Sequence, residues 1–213
     1  MRRPRSLGSR RGQTLVEFAM ILPVIMFLLL GMVEMGFAIG HNTSIVTATR
    51  QGARVGSELV NGYRKCSLPD DTTSKSVDTQ IVAAVEGALV SPGSPVAVTQ
   101  VTKIEIFQYD TDHATRVAGK VNTWVKAVDG GGAPNGTTIP NTTQKLYFKS
   151  NDATPPPWEA YTRCGSATAQ SIGVSITYTY KFITPLGGLI TAFASGQLTI
   201  SDQTIMAMEP PTP

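Results

Sequence analysis

The 213-residue chain is short of the residues that catalysis and metal binding use. It has two cysteines, Cys66 and Cys164, and two histidines, His41 and His113, and all four are isolated from one another. No CxxC or other zinc-ligand spacing occurs. A P-loop, a G-x-S-x-G elbow, an H-E-x-x-H helix and a G-x-G-x-x-G turn after a strand are all missing. A hydrolase needs a nucleophile with a base in reach. Cys164 with His113 is the one conceivable pair, and a disulfide to Cys66 is the simpler fate for that cysteine. The expectation is therefore a protein with no catalytic residues, no metal and no cofactor. Positive charge is also scarce outside one place. Arg2, Arg3, Arg5, Arg10 and Arg11 lie in a leader that contains no acid, and these five exceed the whole net charge of +3. The remainder is slightly acidic, its Lys and Arg are scattered without interleaved aromatics, and nothing in it points to nucleic acid.

What the sequence has is one long apolar run, Gly12 to Ile39, directly after Arg10 and Arg11. From Thr14 to Ile39 its only charges are Glu17 and Glu34. As a helix, those residues would extend about 39 Å, enough to cross a ~30 Å hydrocarbon core with some tilt. The basic leader places the N-terminal end in the cytoplasm. A carboxylate that reaches mid-bilayer costs about 2.5–3.5 kcal/mol, so Glu17 calls for a reason. Glu34, near the outer end, is expected to reach head groups or water. Pro23 should loosen the helix locally, and Gly31, Gly36 and Gly40 are places where another helix can come close. A secretory signal peptide would have a shorter apolar core and a small-residue cleavage site after it. Neither is found here.

Gly12, Gln13, Thr14, Leu15, Val16, Glu17 and Phe18 resemble the processing site of type IV prepilins. In that family a peptidase cuts after the glycine on the cytoplasmic side, and the glutamate becomes the fifth mature residue. Further along, Arg50-Gln51-Gly52-Ala53-Arg54 looks like the R-x-GAR element of TadE-like proteins, the minor pilins of tight-adherence (Flp) pili. Gly173 to Glu209, with a V-x-I-x-Y-x-Y strand, a proline-led apolar segment and an Ala-Met-Glu ending, is similar to the C-terminal half of the same family. The family pattern has a glutamate where this chain has Gln51, and an arginine where it has Met208. Roughly Cys66 to Ala169 matches nothing recognisable.

Taken in order, residues 1–12 read as a prepilin-type leader, 13–40 as a transmembrane helix, and 41–213 as an extracytoplasmic α+β domain. His41 to Val60 carries apolar residues at near-helical spacing, so the helix should continue beyond the membrane and end at Asn61-Gly62. Arg50 and Arg54 can equally be a solvated face. A second helix, capped by Ser76 or Asp78, carries Ile81, Val82, Val85, Leu89 and Val90 and ends at Ser91-Pro92-Gly93. Val96 to Tyr109 reads as a strand, Asp110-Thr-Asp as a turn, and Val117 to Val128 as a possible further strand. Residues 129–165 are rich in Gly, Pro, Asn and Thr and read as a long loop whose second half is pinned by Trp158 and Tyr161. Asn42, Asn135 and Asn141 begin sequons whose use depends on the host. Ser171 to Phe182 alternates strictly, with Ile172, Val174, Ile176, Tyr178 and Tyr180 on one side. Leu189 to Ala194 suggests a short helix, and Leu198 to Met208 a last strand.

The expected fold is α+β: a long N-terminal transmembrane helix extending into an extracytoplasmic domain with a small antiparallel sheet. The resemblance implies a TadE-like minor pilin or pseudopilin, cut between Gly12 and Gln13, with Glu17 and Phe18 in the assembly segment. Its implied partners are a prepilin peptidase, other minor and major pilins, the inner-membrane assembly platform and the lipid bilayer, and its implied role is in assembly or initiation of an adhesive pilus. The alternatives are a signal-anchored surface domain that binds a partner through residues 129–165 and enters no filament, and a type II secretion pseudopilin.

For a domain outside the cytoplasm, a Cys66–Cys164 disulfide is the leading reading, with two buried thiols as the alternative. The closed loop would span about 97 residues and be worth about 4–5 kcal/mol on the chain-entropy model, an upper figure because native strain is ignored. Non-reducing peptide mapping should recover the linked Cys66 and Cys164 peptides. Two alkylatable thiols in the folded protein would refute the bridge.

Overall fold

In the computed structural model the described residues are 10–62, 71–153, 156–163, 171–185 and 197–208. Cys66, Cys164 and the expected Leu189–Ala194 helix lie outside them. The elements are helices α1 (Arg10–Gly62) and α2 (Asp71–Val90) and strands β1 (Val101–Asp110), β2 (Thr115–Lys126), β3 (Phe148–Ser150), β4 (Ser171–Lys181) and β5 (Gln197–Ala207). The sheet order is β3-β2-β1-β4-β5, and the β1–β2, β1–β4 and β2–β3 pairs are antiparallel. The fold is α+β, as the patterning implies. Two compact units can be told apart: Met1–Ala38 with Lys181–Gln197, and Ile39–Tyr180 with Leu198–Pro213.

The second unit is built on the inner face of β4. Ile172, Val174, Ile176, Tyr178 and Tyr180 are all buried, as their alternation requires. They meet the distal half of α1, where Ile45, Ala48, Thr49, Gly52, Ala53 and Gly56 form a buried stripe of mostly small residues. The close approach depends on two glycines one turn apart. A Cβ on Gly52 would come to 2.5 Å from Val85 Cγ2, and one on Gly56 to 2.7 Å from Ile172 Cδ1. The side chain of α1 that faces α2 and β4 is thus nearly absent, and Val85, Ile81 and Ile172 fill the space. The hydroxyls of Thr49 and Thr204 bond at 2.8 Å, tying α1 to β5.

On the other face of the sheet, Phe107 lies across Gly173, whose missing side chain leaves room for the ring. Arg116 stacks on that ring at 4.0 Å and bonds Glu105 at 3.0 Å and Gln203 at 2.8 Å. A phenylalanine on the outer face is thereby fully buried without a second layer. The β1–β2 turn follows the expectation for Asp110: its Oδ1 accepts the amides of Asp112 (2.9 Å) and His113 (3.2 Å).

Three expectations need correction. Residues 98–100, taken as strand, form a 3₁₀ turn, and β1 begins only at Val101. Neither Ser76 nor Asp78 caps α2. The helix begins at Asp71, and Asp78 is buried within it. Residues 129–165 are not simply a loop. From Ala127 to Ser150 the chain doubles back on itself through Ala127 N–H to Tyr147 O (2.7 Å), Thr137 N–H to Phe148 O (2.9 Å), Leu146 N–H to Thr137 O (2.9 Å) and Ile139 N–H to Gln144 O (2.9 Å). This arm buries Leu146 and Phe148 and delivers β3 to the sheet edge. Gly136 is required where the two limbs touch, because a Cβ there would run into the Phe148 and Leu146 carbonyls.

Beyond β3 a buried polar cluster fixes the chain. Arg163 makes a two-pronged ion pair with Asp78, at 2.5 and 3.0 Å. Asn122 on β2 donates to Asp78 Oδ2 (2.6 Å) and to the Trp158 carbonyl (2.7 Å), and its own carbonyl accepts the Trp158 amide (2.8 Å). Trp158 is fully buried under the Arg163 guanidinium, 4.3 Å away. The expected pinning by Trp158 is therefore realised.

Two glycine-to-alanine changes test the α1 packing. Gly52→Ala should destabilise by about 1–3 kcal/mol through overpacking, and Val85→Ala should recover part of that loss. Gly87, exposed in α2 with nothing near it, should instead gain about 0.5–1 kcal/mol as alanine. Chemical denaturation measures both. Equal stabilisation at the two sites would contradict the close packing.

Candidate functional site

The site is the N-terminal helix surface. Leu15, Val16, Phe18, Met20 and Ile21, and the apolar residues on to Leu29, are exposed on every side of α1. The helix is long and apolar enough to cross a membrane. Gly12, Gln13, Glu17 and Phe18 all lie in its first turns and are exposed. Gln13 Nε2 donates to Glu17 Oε1 at 3.1 Å, so the i,i+4 spacing does bring residue 13 to the carboxylate. Helix α1 runs uninterrupted through Pro23. Among the described residues nothing lies within 4 Å of a Cβ built on Gly31 or Gly36, so neither position bars a close helix neighbour.

Glu34 departs from the expectation of water or head groups. It is buried, and its two oxygens accept the backbone amides of Ile183 (3.0 Å) and Thr184 (2.9 Å). Charge-assisted bonds from two amides compensate the carboxylate for the water it has lost. No sequence signal connects residues 149 and 150 positions apart, so this contact was not foreseeable.

The R-x-GAR-like element divides by function. Gly52 and Ala53 are buried packing residues, while Arg50 and Arg54 are exposed, and Arg54 pairs with Glu58 at 2.8 Å.

Among the described residues, the second unit has concavities at two places. One, of about 930 Å³, runs between α2 (Ala83, Glu86, Val90) and the arm (Pro134, Ile139, Tyr147). The other, about 250 Å³, is bordered by Asp78, Asn122, Trp124, Lys149 and Asp152. The histidines stay apart in role. His41 is buried edge-on against Tyr180, and His113 is exposed at the β1–β2 turn, bonded to Asp110 at 2.7 Å. Among the described residues no three His, Cys, Asp or Glu converge on a point that could hold a metal ion.

Residues 12–54 match the family model described as TadE-like protein. The match starts at the glycine of the processing-site motif and stops at Arg54, the last residue of the RQGAR element. It thus carries the resemblance for the first two of the three segments, and Gly173 to Glu209 lies outside it. It supports a pilin-like protein of the Tad type, anchored by its N-terminal helix. No curated protein and no solved structure matches the chain.

Glu86 is a functional-looking residue that sequence reasoning took no notice of. It is buried on α2, and Oε1 accepts the Tyr147 amide at 2.8 Å. Burial pushes its carboxyl up to about 7, although the amides of Tyr147 and Phe148 oppose that. A raised carboxyl binds protons more tightly in the folded state, so stability should fall as pH rises from the unfolded carboxyl range, near 4.5, to about 7. Thermal unfolding between pH 5 and 8 measures this, and Glu86→Gln should flatten the decline. An unchanged profile in that variant would assign the pH dependence elsewhere.

Proposed function

We propose that the chain is a minor pilin or pseudopilin of a Flp-type adhesive pilus. In this reading a prepilin peptidase cuts between Gly12 and Gln13, and the mature helix then associates with other pilins and the inner-membrane assembly platform. The protein is a non-catalytic building block and requires no cofactor. The observation that carries the reading is the fully exposed apolar helix whose one charge before its outer end is Glu17. Such a surface needs lipid or other helices around it.

Cleavage gives Gln13 a free amino group in the turn where Glu17 lies. A carboxylate in the first helical turn is favoured by the helix dipole. In low dielectric an unpaired charge is costly, so a match between Glu17 and the amine of the same or a neighbouring subunit would set register between otherwise featureless helices. The basic leader keeps the N-terminus cytoplasmic, and the sheet-bearing unit lies outside. The 930 Å³ groove favours a second reading, a surface-anchored binding domain that enters no filament. Recovery of the protein in sheared pili separates the two.

Intact mass of the membrane form should lack residues 1 to 12, and Gly12→Leu should retain them. Glu17→Gln should still be inserted and cut, yet lose co-purification with other pilins. A mature N-terminus at Met1, or beyond Ile39, sinks the prepilin reading; normal piliation with Glu17→Gln sinks the pairing role.

A further inference from the structure

We propose that the chain leaving β4, Lys181 to Pro185, is a second membrane contact, latched to the helix by Glu34 and seated at the head-group boundary of the outer leaflet. The proposal rests on the membrane-spanning reading of α1. Gly12 to Val33 measures about 33 Å as helix, close to the ~30 Å hydrocarbon thickness. Glu34 therefore falls at the outer boundary, and it carries the amides of Ile183 and Thr184 to the same depth through bonds of 3.0 and 2.9 Å.

The chemistry of the latch suits that depth. A chain leaving a sheet has amides without ladder partners, and such groups are costly where water is scarce. A carboxylate there is costly as well. Each satisfies the other. What the corner then presents outward is apolar: Ile183 is 58% exposed, Pro185 is exposed and Phe182 is half-buried. Lys181, exposed just before it, can direct its ammonium to lipid phosphates. Phe182 to Pro185 contain no charged residue or histidine.

The test uses the full chain in vesicles of phosphatidylethanolamine and phosphatidylglycerol containing lipids spin-labelled near the head group. The native Trp124 and Trp158, both buried, set the fluorescence baseline. Ile183→Trp should add emission that is blue-shifted and strongly quenched, His113→Trp at the exposed turn should add emission that is not, and Leu22→Trp should report the span itself through mid-chain spin labels. Glu34→Ala should reduce the quenching at position 183 by more than half. If Leu22→Trp is quenched while Ile183→Trp is not, the corner lies in water and the proposal fails on its own. If neither is quenched, the membrane reading fails and the proposal with it. Quenching at 183 that is indifferent to Glu34→Ala overturns the latch.

Discussion

The buried ion pair of Asp78 and Arg163 is the constraint around which the sheet-bearing unit is organised. Arg163 is 1% exposed and Asp78 is 3% exposed, so both charges have left water. Desolvating two ions costs several kcal/mol each, and the attraction between them repays that only when the geometry is good and other lone pairs are filled. The geometry is good, and the other groups are paired except Arg163 Nε, which is buried with no hydrogen-bond partner among the described residues. The guanidinium engages both carboxylate oxygens, Asn122 donates to one of them, and the Trp158 carbonyl accepts from both Asn122 and Arg163. Such a pair need not outweigh an apolar core of the same volume. Its effect is specification, because any path for residues 156–163 that did not return Arg163 to α2 would strand a charge inside the protein.

From that anchor the arrangement of the unit follows. Holding Trp158 against Asn122 fixes the chain just after β3, and β3 completes the edge of β2. Asp152 accepts the Thr123 amide at 2.6 Å, a further tie between the same segment and β2. With α2 held from one side, its other apolar positions, Ile81 and Val85, meet α1 at Gly52 and Gly56. The small residues of α1 are thus a consequence of how close α2 and β4 come. They explain why a helix with so little apolar bulk beyond Ile45 is nevertheless buried there. From Leu15 to Leu29 the same helix is apolar except for Glu17 and is exposed, with no cover from the described residues.

Strong periodicity was legible from the residues alone. The apolar run, the alternation of β4, the Ser91-Pro92-Gly93 stop and the extension of α1 to Asn61-Gly62 all lie where the pattern puts them. The failures share a cause. Asp78 looks like a helix cap because caps are polar, but its partner lies 85 residues away in sequence and no local pattern can report it. Residues 129–150 look like a loop because Gly, Pro and Asn dominate them. The arm is held instead by backbone bonds and by Leu146 and Phe148, two buried residues too few to register as a period. Residues 98–100 turn as 3₁₀, since the strand's pairing partner, Tyr178, is first reached at Val101.

The two carboxylates of α1 are satisfied in different ways. Glu34 is satisfied in cis by two backbone amides and is buried by them. Glu17 is exposed, and the side chain it meets is a neutral amide at 3.1 Å. A neutral donor fills a lone pair but leaves the charge uncompensated, which hydrocarbon penalises far more than water does. Shortening the chain to Gln13 would place a positive amine in that same turn, one helical repeat from the carboxylate. Both acids meet neutral donors, but Glu34 has both oxygens filled by amides and is buried, whereas Glu17 is exposed with a single side-chain bond. That asymmetry supports the proposed assembly role for Glu17, while the bonds of Glu34 to Ile183 and Thr184 are intramolecular.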